Sequence, residues 1–122
     1  MIDTRLREEV FRLHAHLCEG LADPIRILIL YTLTEHHHNV TELAEALNLP
    51  QPTISRHLKV LRERNMVLPE RSGQSVYYRI ADARVIEALD LLRSMLADTL
   101  QNQIALAHTV SVEFPSTAGG LS

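Results

Sequence analysis

Residues 41–63 read TELAEALNLPQPTISRHLKVLRE, two short amphipathic runs on either side of Asn48-Leu49-Pro50. In the first run Leu43, Ala44 and Leu47 share one face, while Thr41, Glu42 and Glu45 lie off it. That spacing predicts a short helix ending near Asn48. In the second run Pro52 suits a first helical turn, where its missing N–H costs nothing. Ile54, Leu58 and Leu61 then point inward and Ser55, Arg56, Lys59 and Arg62 lie on other faces, with Asn65 closing the helix. Two helices joined by a three-residue break form a helix-turn-helix.

Working outward, the period changes after Asn65. Met66-Val67-Leu68 reads as a short strand, Glu70 to Gln74 as a turn containing Ser72 and Gly73, and Ser75 to Ile80, rich in Val and Tyr, as the returning strand. On the N-terminal side Leu6, Val10, Leu13, Leu17 and Leu21 repeat at helical spacing from Thr4 to Ala22. Asp23-Pro24 is an N-cap with a first-turn proline, opening an apolar helix over Ile25 to Thr34. Polar residues Glu35 to Asn39 separate it from the next. On the C-terminal side Asp82 caps a long helix to about His108, with Val85 or Ile86, Leu89, Leu92, Leu96, Leu100 and Ile104 as its stripe. At ~1.5 Å per residue it is about 40 Å long, more than a small domain needs, so its apolar face wants a partner. The fold class is mainly α with a β-hairpin wing: a winged helix-turn-helix of five helices and a two-stranded wing. Residues 1–108 form the domain, and 109–122, with Pro115, Gly119 and Gly120, a tail.

Composition agrees with this and excludes much else. With 122 residues, 46% hydrophobic and 22% charged, the chain is one compact domain, too short for a barrel or a two-domain nucleotide-binding enzyme. The single Cys18 rules out an internal disulfide or a CxxC zinc site, and 4% aromatic residues with no Trp leave little for a base-stacking groove. Neither a membrane span nor a signal-peptide apolar block is visible, so a cytoplasmic protein is expected. HExxH, GxSxG and phosphate-loop motifs are missing, so no enzyme is expected.

The net charge of -3 hides a lopsided distribution. Residues 51–79 carry six Lys or Arg against two acidic residues, whereas 1–50 carry four against eight and 80–122 two against five. The basic strip falls on the second helix of the helix-turn-helix and on the hairpin. A major groove accepts one helix, whose polar first turn reaches base edges while cations farther along meet phosphates. Gln51, Thr53, Ser55 and Arg56 are the expected base-reading set; His57, Lys59, Arg71 and Gln74 are expected to position the DNA backbone, with Arg62 or Arg64 adding charge. Double-stranded DNA is therefore the expected partner. Two alternatives stand beside this: a winged helix used as a protein-interaction module, and a constitutive or redox-tuned DNA binder without a metal switch.

The runs Leu21-Ala22-Asp23-Pro24-Ile25-Arg26-Ile27-Leu28, Thr41-Glu42-Leu43-Ala44, Gln51 to Leu61 and Arg71 to Ile80 resemble the ArsR/SmtB family of bacterial winged-helix transcription repressors. The resemblance covers about residues 6–108. It implies a homodimer built from the first and last helices, binding an imperfect palindromic operator and releasing it on an inducer signal. Leu6, Leu13, Leu17, Leu89, Leu96, Leu100 and Ile104 are then the expected dimer interface.

Inducer residues of that family are mostly missing. Soft-metal sensors carry Cys-x-Cys where this chain has Asn39 and Thr41. Zinc-type members carry Asp-x-His at the head of the last helix and two ligands later; here Asp82 is followed by Arg84, and Met95 and Asp98 occupy the later region. No cofactor is expected and a metal ion is unsupported at the usual positions. His14 and Cys18, spaced i, i+4, are the remaining candidate metal pair, although a lone Cys among leucines reads more readily as a small buried hydrophobe. His36-His37-His38 reads as a solvated loop.

Overall fold

The computed structural model describes residues 1–113, the side chains of 109–113 excepted. The order is α1 (Thr4–Leu13), a π-helical turn (His14–Cys18), α2 (Pro24–Leu33), α3 (Val40–Leu47), α4 (Gln51–Glu63), β1 (Val67–Ser72), β2 (Ser75–Ile80) and α5 (Arg84–Glu113). This is the winged helix-turn-helix expected from the sequence. The chain divides into two compact units, Met1–Val85 and the residues from Ile86 on.

Each start and stop has a local cause. Asp23 caps α2 by accepting from the Ile25 N–H at 2.8 Å. Asn39 caps α3 in a reciprocal box: its Oδ1 accepts from the Glu42 N–H at 2.8 Å and the Glu42 Oε1 from the Asn39 N–H at 2.9 Å. The helix therefore begins one residue before the expected Thr41. Asn48 ends α3 at φ 54 and Asn65 follows α4 at φ 59, the left-handed conformation that Asn tolerates better than most residues.

The core of the first unit is apolar and continuous. Ile29, Leu30 and Leu33 of α2, Leu43 and Ala44 of α3, and Ile54, Leu58 and Leu61 of α4 are buried, with Met66 and Val67 at the hairpin root. Each such large side chain contributes about 1.5–3 kcal/mol by leaving water. The inward faces of both central helices are thereby fixed, and so are the faces they leave outward.

Other expected segment limits change too. The first helix is not regular to Ala22, since its backbone widens into the π turn, where the Arg64 guanidinium donates to the Ala15 carbonyl. That contact joins the π turn to the end of α4. The hairpin turn is tighter than Glu70 to Gln74. Ser72 pairs with Ser75, leaving a two-residue loop of Gly73 and Gln74, and Gly73 takes φ 63. Positive φ at the first loop position is what glycine permits in a tight hairpin.

Described by itself, α5 runs to Glu113, past the expected His108. Beyond Glu113, the expected tail lies outside the described residues. Leu92, Leu96, Leu100 and Ile104 are exposed along the helix, whereas Leu89 is buried. On α1 no residue is buried, and Leu6, Val10, Phe11 and Leu13 face solvent.

Candidate nucleic-acid interface

Packing of Ile54, Leu58 and Leu61 turns the opposite side of α4 outward. Gln51, Ser55, Arg56 and Lys59 are exposed there, and Thr53 and His57 are half-buried at the margin. Gln51 donates from Nε2 to the Thr41 hydroxyl at 3.3 Å, tying the start of α4 to the first turn of α3. Arg56 donates from Nη2 to the Thr53 hydroxyl at 3.4 Å. Arg71 and Gln74 lie exposed at the hairpin tip.

The cations of this region divide into two groups. Arg64 is used internally, on the Ala15 carbonyl and 3.4 Å from Glu19 Oε2, and Arg79 lies 3.8 Å from Glu70 Oε2. Among the described residues no ion pair engages Arg56, Lys59, Arg62 or Arg71. Four positive charges thus stand uncompensated on one helix and the adjoining wing. Such a field attracts a polyanion and is screened by salt.

Sequence reasoning missed two contributors. Arg26 reaches from α2 to His57, its Nη1 lying 3.3 Å from Nδ1. Thr41, off the apolar face of α3 in sequence, holds Gln51 through its hydroxyl. Neither carries a sequence signal, because both act across the helix-helix junction.

The inducer positions are occupied by structural work. The Asn39 side chain is consumed by the α3 capping box. Asp82 accepts from the Arg84 backbone N–H at 2.9 Å and from Arg84 Nη2 at 2.7 Å, with Nε 3.1 Å from both carboxylate oxygens. These Arg84 hydrogen bonds, aided by its charge, hold the Asp82 carboxyl down at about 2. A carboxylate that neutralises a permanent cation is a poor metal ligand, so the residues at these positions do not fit a resident metal.

His14 and Cys18 sit at the two ends of the π turn, and Cys18 is exposed, not a buried hydrophobe. The histidine loop also departs from expectation: His38 is buried while His36 and His37 are exposed. Glu35, His36 and His38 bring one ligand atom each to within 4.8 Å of one another.

This architecture and its outward basic helix define a winged helix-turn-helix protein. Residues 23–67 match the model of the bacterial regulatory protein arsR family. The chain is 45% identical over 74 residues to the HTH-type transcriptional repressor SmtB of Mycobacterium tuberculosis, a match covering 61% of this chain and 55% of that protein. It therefore spans about half the length of that relative. The crystal structure of M. tuberculosis Rv0081 superposes with TM-score 0.70 at 33% identity, covering 78% of this chain and 96% of the other. A solution structure from Mycobacterium bovis, described as a homodimeric winged helix-turn-helix DNA-binding domain, gives TM-score 0.70 at 26% identity, covering 83% and 93%. The chain belongs to the arsR family. Among the described residues no helix is long and apolar enough to cross a membrane.

Proposed function

We propose that this chain is a sequence-specific, double-stranded-DNA-binding transcription repressor that works as a cytoplasmic homodimer on an imperfect palindrome and leaves it on an inducer signal. What carries the reading is the outward face of α4, polar over its first turn and cationic beyond, beside a wing tip bearing Arg71 and Gln74. Gln51, Thr53, Ser55 and Arg56 read base edges; His57, Lys59, Arg71 and Gln74 fix the backbone. The repressor SmtB and the homodimeric DNA-binding domain from M. bovis support the same role. Their likeness also favours a regulator over an enzyme. Dimerisation uses the apolar faces of α1 and α5, since large exposed apolar stripes on both call for a covering surface. Residues 1–108 carry both activities.

The test is fluorescence anisotropy of the protein on DNA from its own upstream region against a scrambled duplex at physiological salt. A preference of about 10³ or more is expected for a specific regulator. Equal weak binding to this and to a selected random-duplex pool would overturn the reading and favour a protein-docking winged helix.

A further inference from the structure

The loop between α2 and α3 presents chemistry that the DNA-binding face does not use. Thr34 ends α2, and the chain then places Glu35, His36 and His38 so that one ligand atom from each lies within 4.8 Å of the others. Coordination of one ion by a tetrahedral set of ligands at about 2.0–2.2 Å brings those atoms to roughly 3.5 Å apart, so binding requires the three side chains to rotate toward a common point.

Both imidazoles are already poised. His36 Nδ1 lies 2.7 Å from the His37 carbonyl oxygen, and His38 Nδ1 lies 2.7 Å from the His36 carbonyl oxygen. A carbonyl only accepts, so each neutral ring carries its proton on Nδ1 and keeps its lone pair on Nε2. Main-chain carbonyls that fix the tautomer and aim the ring are the usual support of metal-ligating histidines. The rings also stack, with centroids 4.0 Å apart and planes 10° from parallel, so the two rings are neighbours that must tilt apart from the stack to converge on one ion. Among the described residues no buried side-chain nitrogen or oxygen lacks a partner. His38 Nε2, which has no hydrogen bond in the structure, therefore opens to solvent although the residue is buried.

We propose that Glu35, His36 and His38 form a site for a borderline divalent transition-metal ion of the zinc, nickel or cobalt kind. Two imidazoles and one carboxylate suit such ions better than calcium or magnesium, which take oxygen ligands, or copper(I), which takes thiolates. Three protein ligands leave a position for water, so the ion exchanges. The site does not depend on the DNA-binding reading. Its location nonetheless matters to the fold: His38 and Tyr78 of β2 exchange main-chain hydrogen bonds at 3.3 and 2.8 Å, and Asn39, the next residue, caps α3. An ion here grips the point where the wing joins the helix-turn-helix.

The test is titration of the untagged full chain with Co²⁺, read by visible ligand-field absorption, then displacement by Zn²⁺. Intense four- or five-coordinate bands are expected. E35Q and H36Q should each weaken Co²⁺ binding by about tenfold or more, whereas H37A and the double variant H14A/C18S should stay within about twofold. H38Q is informative only if circular dichroism shows a native helix content, and E35Q with H36Q decide the matter without it. Spectra no stronger than hydrated Co²⁺, unchanged affinity in E35Q or H36Q, or loss in H37A equal to that in H36Q would overturn the site, the last by revealing an unspecific surface histidine cluster.

Discussion

Arg26 and His57, 31 positions apart, meet through Arg26 Nη1 and His57 Nδ1 at 3.3 Å. Guanidinium has no acceptor, so His57 must accept through Nδ1 and carry its ring proton on Nε2. The same guanidinium donates from Nε to the Gly20 carbonyl at 2.8 Å and from Nη2 to the Glu19 carbonyl at 3.0 Å. One side chain on α2 therefore fastens the end of the first helical segment to α4. His57, read from the sequence as a DNA-contacting donor, has only Nε2–H left for a phosphate.

Arg26→Ala should consequently destabilise the fold by about 1–3 kcal/mol, because two carbonyls and a half-buried imidazole lose their partner together. Arg26→Lys, lacking the planar fork, should recover only part of it. Urea unfolding of the two variants checks this. An unchanged midpoint in Arg26→Ala would mean that solvent replaces all three bonds without cost.

Acid should weaken the head of α5 through one carboxylate. Asp82 is held at about 2 against an ordinary 3.8, first by side-chain hydrogen bonds from Arg84 and then by the Arg84 backbone N–H. The folded value is the lower one, so the stabilisation is fully present above the unfolded value and is lost as pH falls through the folded one. Asp82→Asn should flatten the acid dependence of helix content between about pH 3.8 and 2. The effect is small, since the group is exposed, and helical circular dichroism of wild type and variant over that range measures it.

The helix-turn-helix was legible because its determinants are local. Asn48-Leu49-Pro50, Pro52 and the spacing of Ile54, Leu58 and Leu61 fix two helices and their facing sides without help from elsewhere. The α3 capping box is also local, but Asn39 sits in a run of polar loop residues in sequence, so the expected start falls one residue late. What escaped the sequence acts at long range. Arg64 meets the Ala15 carbonyl from 49 positions away, and no periodicity predicts that contact. His38 is buried and its main chain pairs with Tyr78, 40 positions on, so the histidine run that looks solvated in sequence contains one residue that is not.

The dimer proposal separates two kinds of leucine on α5. Leu96 and Leu100 are 59% and 47% exposed, whereas Leu89 is 5% exposed. Leu96→Glu or Leu100→Glu should yield a folded monomer, since a charge on a self-complementary apolar face opposes association without disturbing the chain itself. Leu89→Glu should instead unfold the helix's own surroundings. Sedimentation equilibrium with circular dichroism distinguishes the outcomes, and dimers persisting in both Leu96→Glu and Leu100→Glu would remove α5 from the interface.

On α4 the two exposed cations Arg56 and Lys59 should behave differently. Arg56 lies in the second turn next to Thr53, with its planar fork suited to a guanine edge, whereas Lys59 sits a turn later as a point charge. Arg56→Ala should therefore cost about 1–3 kcal/mol on the preferred sequence and little on a random one, so that discrimination shrinks. Lys59→Ala should weaken every sequence alike and lower the slope of log affinity against log salt by about one. Anisotropy at several salt concentrations on specific and scrambled duplexes gives both quantities at once. If Arg56→Ala left the ratio of specific to random binding intact and only reduced the salt slope, Arg56 would be a phosphate contact, and base reading would fall to Gln51, Thr53 and Ser55.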